Sequence, residues 1–353
     1  MEPTIRADLA RLPAYVPGRS VPGSIKLASN EVALPPPRAI LDAIAAAAAG
    51  GNRYPDMGVV ELTERLATRH GVSADRVAVG CGSVSLCQQL VQIACGAPED
   101  EVIFGWRSFE AYPIVTQVAG AVPVPVPLDA GYRHDPEALL AAITPRTRLL
   151  FVCNPNNPTG TVLRRDELTA LLDAVPPDVV VALDEAYREF VSDPDVPDGL
   201  TLLEGRPNVV VLRTFSKAYR LAGLRVGYAV GSRVLVEALR KVCVAFSVNS
   251  LAQAAAMAAL SPECLPELLA ACAEVAVERT RVRDELLAAG FEVPESEANF
   301  VWLPLGPRTV AFAEHCAAAK ILVRPFAGDG ARITIAGEDE NDAFLAAARS
   351  FGG

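Results

Sequence analysis

Residues Val209–Lys217 read VVVLRTFSK. Val209–Leu212 is apolar at every position instead of every second one, the pattern of a strand buried on both faces of a sheet. Upstream, Arg76–Val79, Glu101–Phe104, Leu149–Cys153 and Val179–Leu183 are short apolar runs of the same kind, and Val226–Val230 follows downstream. Between them Leu168, Leu171, Leu172 and Val175, and likewise Leu86, Leu90 and Ile93, recur at helical spacing. Buried strands alternating with amphipathic helices predict an α/β fold whose mostly parallel sheet is covered by helices.

Past about Lys241 the pattern changes. Two long helical stretches rich in Ala, Leu and Glu lead into strands near Asn299–Leu303, Ile321–Arg324 and Arg332–Ile335, which predicts a smaller α+β domain. Pro3, Pro13, Pro17 and Pro22, then Pro35–Pro37, give the start of the chain the character of an extended arm and linker. The expected division is an arm over 1–36, a large domain over 37–240 and a small C-terminal domain over 241–353.

Composition narrows the function. The chain has 353 residues, 51% hydrophobic and 21% charged, which is globular and not disordered. A net charge of −10 repels phosphate backbones, so nucleic acid is not an expected partner. The apolar run Ala45–Ala49 is far too short to cross a bilayer, and no charged-then-apolar leader opens the chain. A cytoplasmic location and no membrane partner are expected. Eight cysteines include no CxxC pair, so they read as reduced thiols; neither a metal site nor a disulfide framework is expected.

In open α/β sheets, ligands collect at the carboxyl ends of the strands. After Arg76–Val79 come Gly80, Cys81, Gly82 and Ser83 and then a helix. This is either an ordinary glycine turn or an anion site built from backbone N–H groups and a helix N-terminus. After Leu149–Cys153 comes NPNNPTG, either a plain rigid turn or a fixed backbone that aims the Asn157 amide at a ligand. After Val179–Leu183 comes Asp184, which either caps a helix or meets a cationic partner such as a pyridinium N–H. Tyr187, three residues on, can offer its hydroxyl to the same ligand. After Val209–Leu212 come Thr214, Ser216 and Lys217, then Arg225. The hydroxyls and guanidinium suit a phosphate, and a desolvated lysine suits a carbonyl. One ligand has a phosphate, a ring oxygen, a protonated ring nitrogen and a carbonyl: pyridoxal 5'-phosphate (PLP).

The strings ASNE (Ala28–Glu31), NRYPD (Asn52–Asp56), CNPNNPTG (Cys153–Gly160), DEAY (Asp184–Tyr187) and TFSKAYRLAGLRVGY (Thr214–Tyr228) resemble class-II aminotransferases of PLP fold type I, across essentially the whole chain. They are most similar to the histidinol-phosphate aminotransferase group. Within it, VGCGSVSLCQQL (Val79–Leu90) and FGWRSFEAYP (Phe104–Pro113) resemble the actinobacterial aromatic-amino-acid (phenylalanine) aminotransferases. ANFVWLPL (Ala298–Leu305) and the END of Glu340–Asp342 agree. The histidinol-phosphate enzymes usually carry an acidic residue where this chain has Val84.

The resemblance implies a homodimer with shared sites and a role for each matched residue. Lys217 is the Schiff-base lysine and proton shuttle, and Asp184 the partner of the ring nitrogen. Asn157 and Tyr187 contact the ring hydroxyl. Gly82, Ser83, Thr214, Ser216 and Arg225 hold the phosphate, and Phe109 stacks on the ring. Tyr54 reaches the phosphate of the other subunit. Arg332 binds the substrate carboxylate, Asn30 lies near it, and Arg324 is a second substrate-binding candidate at the distal end. The implied reaction is transfer of an amino group from an aromatic amino acid to a 2-oxo acid such as 2-oxoglutarate, with Tyr15, Trp106, Phe109 and Phe326 available to line an apolar slot.

Two positions depart from the family pattern. Arg220 replaces the usual glycine of SKAYGLAG, with strain if the turn needs positive φ and a guanidinium that could enter the site. Ile335-Ala336-Gly337 replaces a more usual Ile-Gly. The competing expectations are a histidinol-phosphate aminotransferase, a PLP decarboxylase of the same fold, and a non-catalytic PLP-binding protein.

Overall fold

A computed structural model describes residues 5–6, 12 and 21–352. Its eleven strands among the described residues are β1 (Ile25–Leu27), β2 (Val77–Gly80), β3 (Glu101–Trp106), β4 (Val122–Pro127), β5 (Thr147–Cys153), β6 (Val180–Asp184), β7 (Val209–Thr214), β8 (Gly227–Val230), β9 (Phe300–Leu303), β10 (Ile321–Phe326) and β11 (Gly330–Thr334). Seven of them form one sheet in the order β2-β8-β7-β6-β5-β3-β4. Only β8 runs against its neighbours, so the carboxyl ends of the other six lie along one edge.

The unbroken apolar runs are explained by burial on both faces. Leu150, Val152, Val181, Leu183, Val209 and Val211 belong to the core on one side. Leu149, Phe151, Ala182, Val210 and Leu212 belong to the core on the other. Helices cover both sides, as a parallel sheet requires. A third core packs Val301, Leu303, Ile333 and Phe344 around the second sheet, of order β1-β10-β11-β9.

Two strands were not legible in the sequence. β4 reads VPVPVP, and proline normally argues against a strand. It lies at the sheet edge, where the amides of Val122 and Leu128 donate to Asp100 and Trp106 on the β3 side. Pro123, Pro125 and Pro127 fall on the alternate positions, whose missing N–H groups would face away from β3. β1 lies in the stretch expected to be an extended arm. Ile25–Leu27 instead pairs parallel with Ile321–Val323 and becomes part of the smaller sheet. That pairing carries Ala28, Ser29 and Asn30 to the carboxyl edge of the large sheet.

Candidate active site

A cavity of about 310 Å³ opens where that edge meets the smaller sheet. The segments after β2, β3, β5, β6 and β7 reach it from below, and β10, β11 and the segment after β1 close it from above. Twelve of the sequence-derived site residues line it. They are Asn30, Ser83, Phe109, Asn157, Asp184, Tyr187, Thr214, Ser216, Lys217, Arg225, Arg324 and Arg332.

Asp184 ends β6, next to Cys153 at the end of β5. No helix begins at it, so it caps none. Its Oδ2 accepts a 2.7 Å hydrogen bond from the Tyr112 hydroxyl, while Oδ1 is buried and takes no hydrogen bond among the described residues. Burial pushes the carboxyl up to about 6, against the Tyr112 bond that favours its ionised form. Tyr112 itself is fixed by stacking on Phe151, with ring centroids 4.5 Å apart.

Lys217 follows β7 and donates to the Ser29 carbonyl at 3.1 Å. Burial lowers its amine to about 7, and the positive charges of Arg332 and Arg225 act in the same direction, opposed by Glu31. An amine that is partly neutral at neutral pH is a competent nucleophile and base.

The anion cradle joins three elements. Gly82 (φ 74°) opens the helix Gly82–Ala94, and Ser83 in its first turn lines the cavity. A Cβ on Gly82 would stand 2.5 Å from Arg225 Nη2, so glycine is what lets the guanidinium close over the helix terminus. Arg225 Nη1 donates to Ser216 Oγ at 3.2 Å, and Thr214 Oγ1 donates to the same oxygen at 2.9 Å. Gly227 on β8 serves the same approach, since a Cβ there would lie 2.6 Å from the Ser83 amide.

On the opposite wall Arg332 donates to Asn157 Oδ1 at 2.6 Å and to the Ala28 carbonyl at 2.7 Å. The first bond orients the Asn157 amide so that its NH₂ is the remaining donor. Asn30 Nδ2 donates to the Tyr187 hydroxyl at 2.9 Å. Asn30 is held in turn by Thr334, which accepts from its amide at 2.9 Å. Burial raises the Tyr187 hydroxyl well above its ordinary range, so it stays protonated as a donor.

Tyr54, expected to serve the site of the other subunit, is 82% exposed, stacks on Phe246 and does not line the cavity of its own chain. Other expectations are not all met by the geometry. Phe109 and Phe326 line the cavity, but Trp106 packs edge-on against Phe104 and beneath Arg107. Tyr15 lies outside the described residues. Arg220 does adopt positive φ (58°), yet its guanidinium does not enter the site. It donates to the Pro35 carbonyl at 2.9 Å and faces Glu267 at 3.6 Å, pointing toward the linker. The altered Ile335-Ala336-Gly337 turn is held by Asn341, which both donates to and accepts from Ala336 at 3.0 Å.

Sequence reasoning missed Tyr112, Glu110 and the carbonyls of Ala28 and Ser29. Tyr112 carried a usable signal, a hydroxyl shortly after the buried strand β3. The carbonyls carried none, because their position depends on the pairing of β1 with β10.

This donor set fits PLP. Asp184 Oδ1 lacks the cationic donor that a pyridinium N–H would supply, the cradle is built for a phosphate, and a lysine of lowered basicity faces the same space. Fold and site therefore define a PLP enzyme of the aminotransferase fold. A model of the family "Aminotransferase class I and II" matches residues 22–348, and the chain belongs to that family. It is 62% identical over 350 residues to an aromatic amino acid aminotransferase of Rhodococcus jostii (strain RHA1), covering 99% of this chain and 96% of that one. An aromatic amino acid aminotransferase of Rhodococcus opacus (strain B4) is 61% identical with the same coverage. Among solved structures, histidinol-phosphate aminotransferase from Sinorhizobium meliloti in complex with pyridoxal-5'-phosphate superposes with a TM-score of 0.84 at 29% identity, covering 93% of this chain and 92% of that one. This chain is a PLP-dependent transaminase, acting on amino acid and 2-oxo acid substrates. Among the described residues, no helix is long and apolar enough to cross a membrane.

Proposed function

We propose that this transaminase moves the amino group between an aromatic amino acid, phenylalanine or tyrosine, and a 2-oxo acid such as 2-oxoglutarate. The observation that carries this reading is the 62% identity, over nearly the whole chain, to a relative of that name. The cavity supports it, with Phe109 and Phe326 as apolar walls and Val84 where a charge would discourage a ring.

Bound here, PLP supplies a carbonyl that captures the amino group and an electron-withdrawing ring that acidifies the substrate α-carbon. Asp184 holds the ring nitrogen protonated. Lys217 would hold the cofactor through its carbonyl, and its amine would carry the proton of the substrate α-carbon. Arg332 clamps the substrate carboxylate and so presents the Cα–H bond to Lys217. Asn157 and Tyr187 donate to the ring oxygen, and Asn30 keeps the Tyr187 hydroxyl in place. Gly82, Ser83, Thr214, Ser216 and Arg225 retain the phosphate.

The same reading makes the enzyme a cytoplasmic homodimer in which exposed Tyr54 reaches the partner's phosphate site. Residues 37–240 form its cofactor domain, and 241–353, joined by the strand from the arm over 1–36, form the small domain.

The test follows the visible cofactor band as single amino acids are added to the loaded enzyme. Phenylalanine and tyrosine are expected to bleach the band, and histidinol phosphate to leave it nearly unchanged. Selective bleaching by histidinol phosphate would replace the aromatic reading with histidine biosynthesis. Lys217→Ala is expected to abolish turnover while retaining some PLP, and wild-type turnover in that variant would remove Lys217 from the reaction.

A further inference from the structure

Arg324 and Arg332 are directly paired across the antiparallel strands β10 and β11, so their side chains share one face of the smaller sheet. Both line the cavity. Two guanidinium groups so placed repel each other, the more so in a partly desolvated site. Arg332 donates to Asn157 Oδ1 and to the Ala28 carbonyl among its partners. Arg324 instead donates to a carboxylate, Glu110 Oε2, at 2.7 Å. Glu110 stands at the start of the helix Ala111–Ala119, beside Phe109, so this ion pair bridges the two sheets across the cavity. The Phe326 ring centroid lies 5.6 Å from the Arg324 guanidinium and 5.9 Å from that of Arg332.

We propose that Glu110 determines the substrate range of this site by standing in for the second acidic group of a substrate. The inference rests on the transaminase reading given above. An aromatic substrate has one carboxylate, which engages Arg332, and an uncharged side chain. With it the Glu110–Arg324 pair stays closed and Arg324 stays neutralised. A dicarboxylate substrate brings a second anion for Arg324, and Glu110 must then give way. The asymmetry of exposure permits this: the Arg324 side chain is only 12% exposed, whereas that of Glu110 is 30% exposed and borders solvent. Glu110 can exchange its partner for water; Arg324 needs an anion. Each dicarboxylate therefore competes with an internal carboxylate, which weakens its binding and leaves the aromatic substrate untouched.

The experiment compares wild type, Glu110→Gln, Arg324→Gln and the double variant, each loaded with PLP and titrated calorimetrically. The ligands are succinate, a dicarboxylate, and 3-phenylpropionate, an aromatic monocarboxylate. Glu110→Gln is expected to bind succinate at least about tenfold more tightly, because the exposed demand of a buried cation is met only by the ligand. It is expected to bind 3-phenylpropionate no more tightly than wild type. The succinate gain is expected to vanish when Arg324→Gln is added. Succinate affinity in Glu110→Gln within about twofold of wild type would overturn the proposal, as would a gain that survives Arg324→Gln. Failure of the wild-type enzyme to convert phenylalanine would sink the aromatic reading while leaving the succinate comparison standing.

Discussion

Tyr112 donates its hydroxyl to one carboxylate oxygen of Asp184 at 2.7 Å and leaves the other oxygen to the ligand. The two residues come from different elements at the sheet edge, the helix after β3 and the end of β6. Burial disfavours the Asp184 anion and the phenol restores part of the loss, so the carboxyl lies at about 6 instead of higher. An ionised Asp184 is what a pyridinium nitrogen requires.

Tyr112→Phe removes that bond and keeps the stacking on Phe151. A hydrogen bond to a charged group contributes about 1.5–3 kcal/mol. Retention of PLP is expected to weaken roughly tenfold or more, read by equilibrium dialysis. An unchanged dissociation constant would reduce Tyr112 to a packing residue.

Gly82→Ala places a Cβ 2.5 Å from Arg225 Nη2 at a position with φ of 74°. The guanidinium must retreat from the helix N-terminus, and the phosphate loses its charged partner. PLP affinity is expected to fall at least about tenfold, with the melting temperature of the cofactor-free protein lowered by a few degrees at most. Wild-type PLP affinity would show that the cradle lies elsewhere.

Lys217 gives the cofactor-free protein a pH dependence of definite sign. Its amine is lowered from 10.5 to about 7 in the fold, so between these values the unfolded chain holds the proton that the folded chain lacks. Stability from this group is complete above pH 10.5, is lost as pH falls toward about 7, and then levels. Lys217→Met is expected to flatten that window and to be more stable than wild type at pH 7. A thermal melt series with parallel curves for the two proteins would contradict the buried-amine account. Asp184 acts in the opposite sense at lower pH. Its carboxyl is raised from 3.8 to about 6, so its contribution is complete below 3.8 and is lost as pH rises through about 6. Asp184→Asn is expected to remove that slope.

Arg220→Gly relieves a non-glycine residue at φ 58° but loses the bond to Pro35 and the contact with Glu267. The opposing effects are each about 1 kcal/mol, so stability is expected to stay within about that amount of wild type. The guanidinium points toward the linker, so the relative rates with phenylalanine and histidinol phosphate are expected to be unchanged. A shift in their ratio would show that residue 220 acts on the substrate.

The sequence by itself determined the α/β class and the chemistry of the site, because both depend on local patterns. Doubly buried strands must be apolar throughout, and ligands gather where such strands end, so Asn157, Asp184, Thr214 and Lys217 could be read directly after their runs. Gly82 was legible because a glycine turn between a buried strand and a helix frees backbone N–H groups for an anion, whereas the closure of Arg225 over it was decided by the tertiary structure. Other features were decided only by tertiary structure. β4 was hidden because proline is tolerated at an edge, and edge position is a property of the whole sheet. β1 was hidden because three residues become a strand only when β10 is beside them. Tyr112 met Asp184, and Glu110 met Arg324, across 72 and 214 residues of chain. Such pairs obey no spacing rule; burial of one charge selects whichever partner the packing brings within reach.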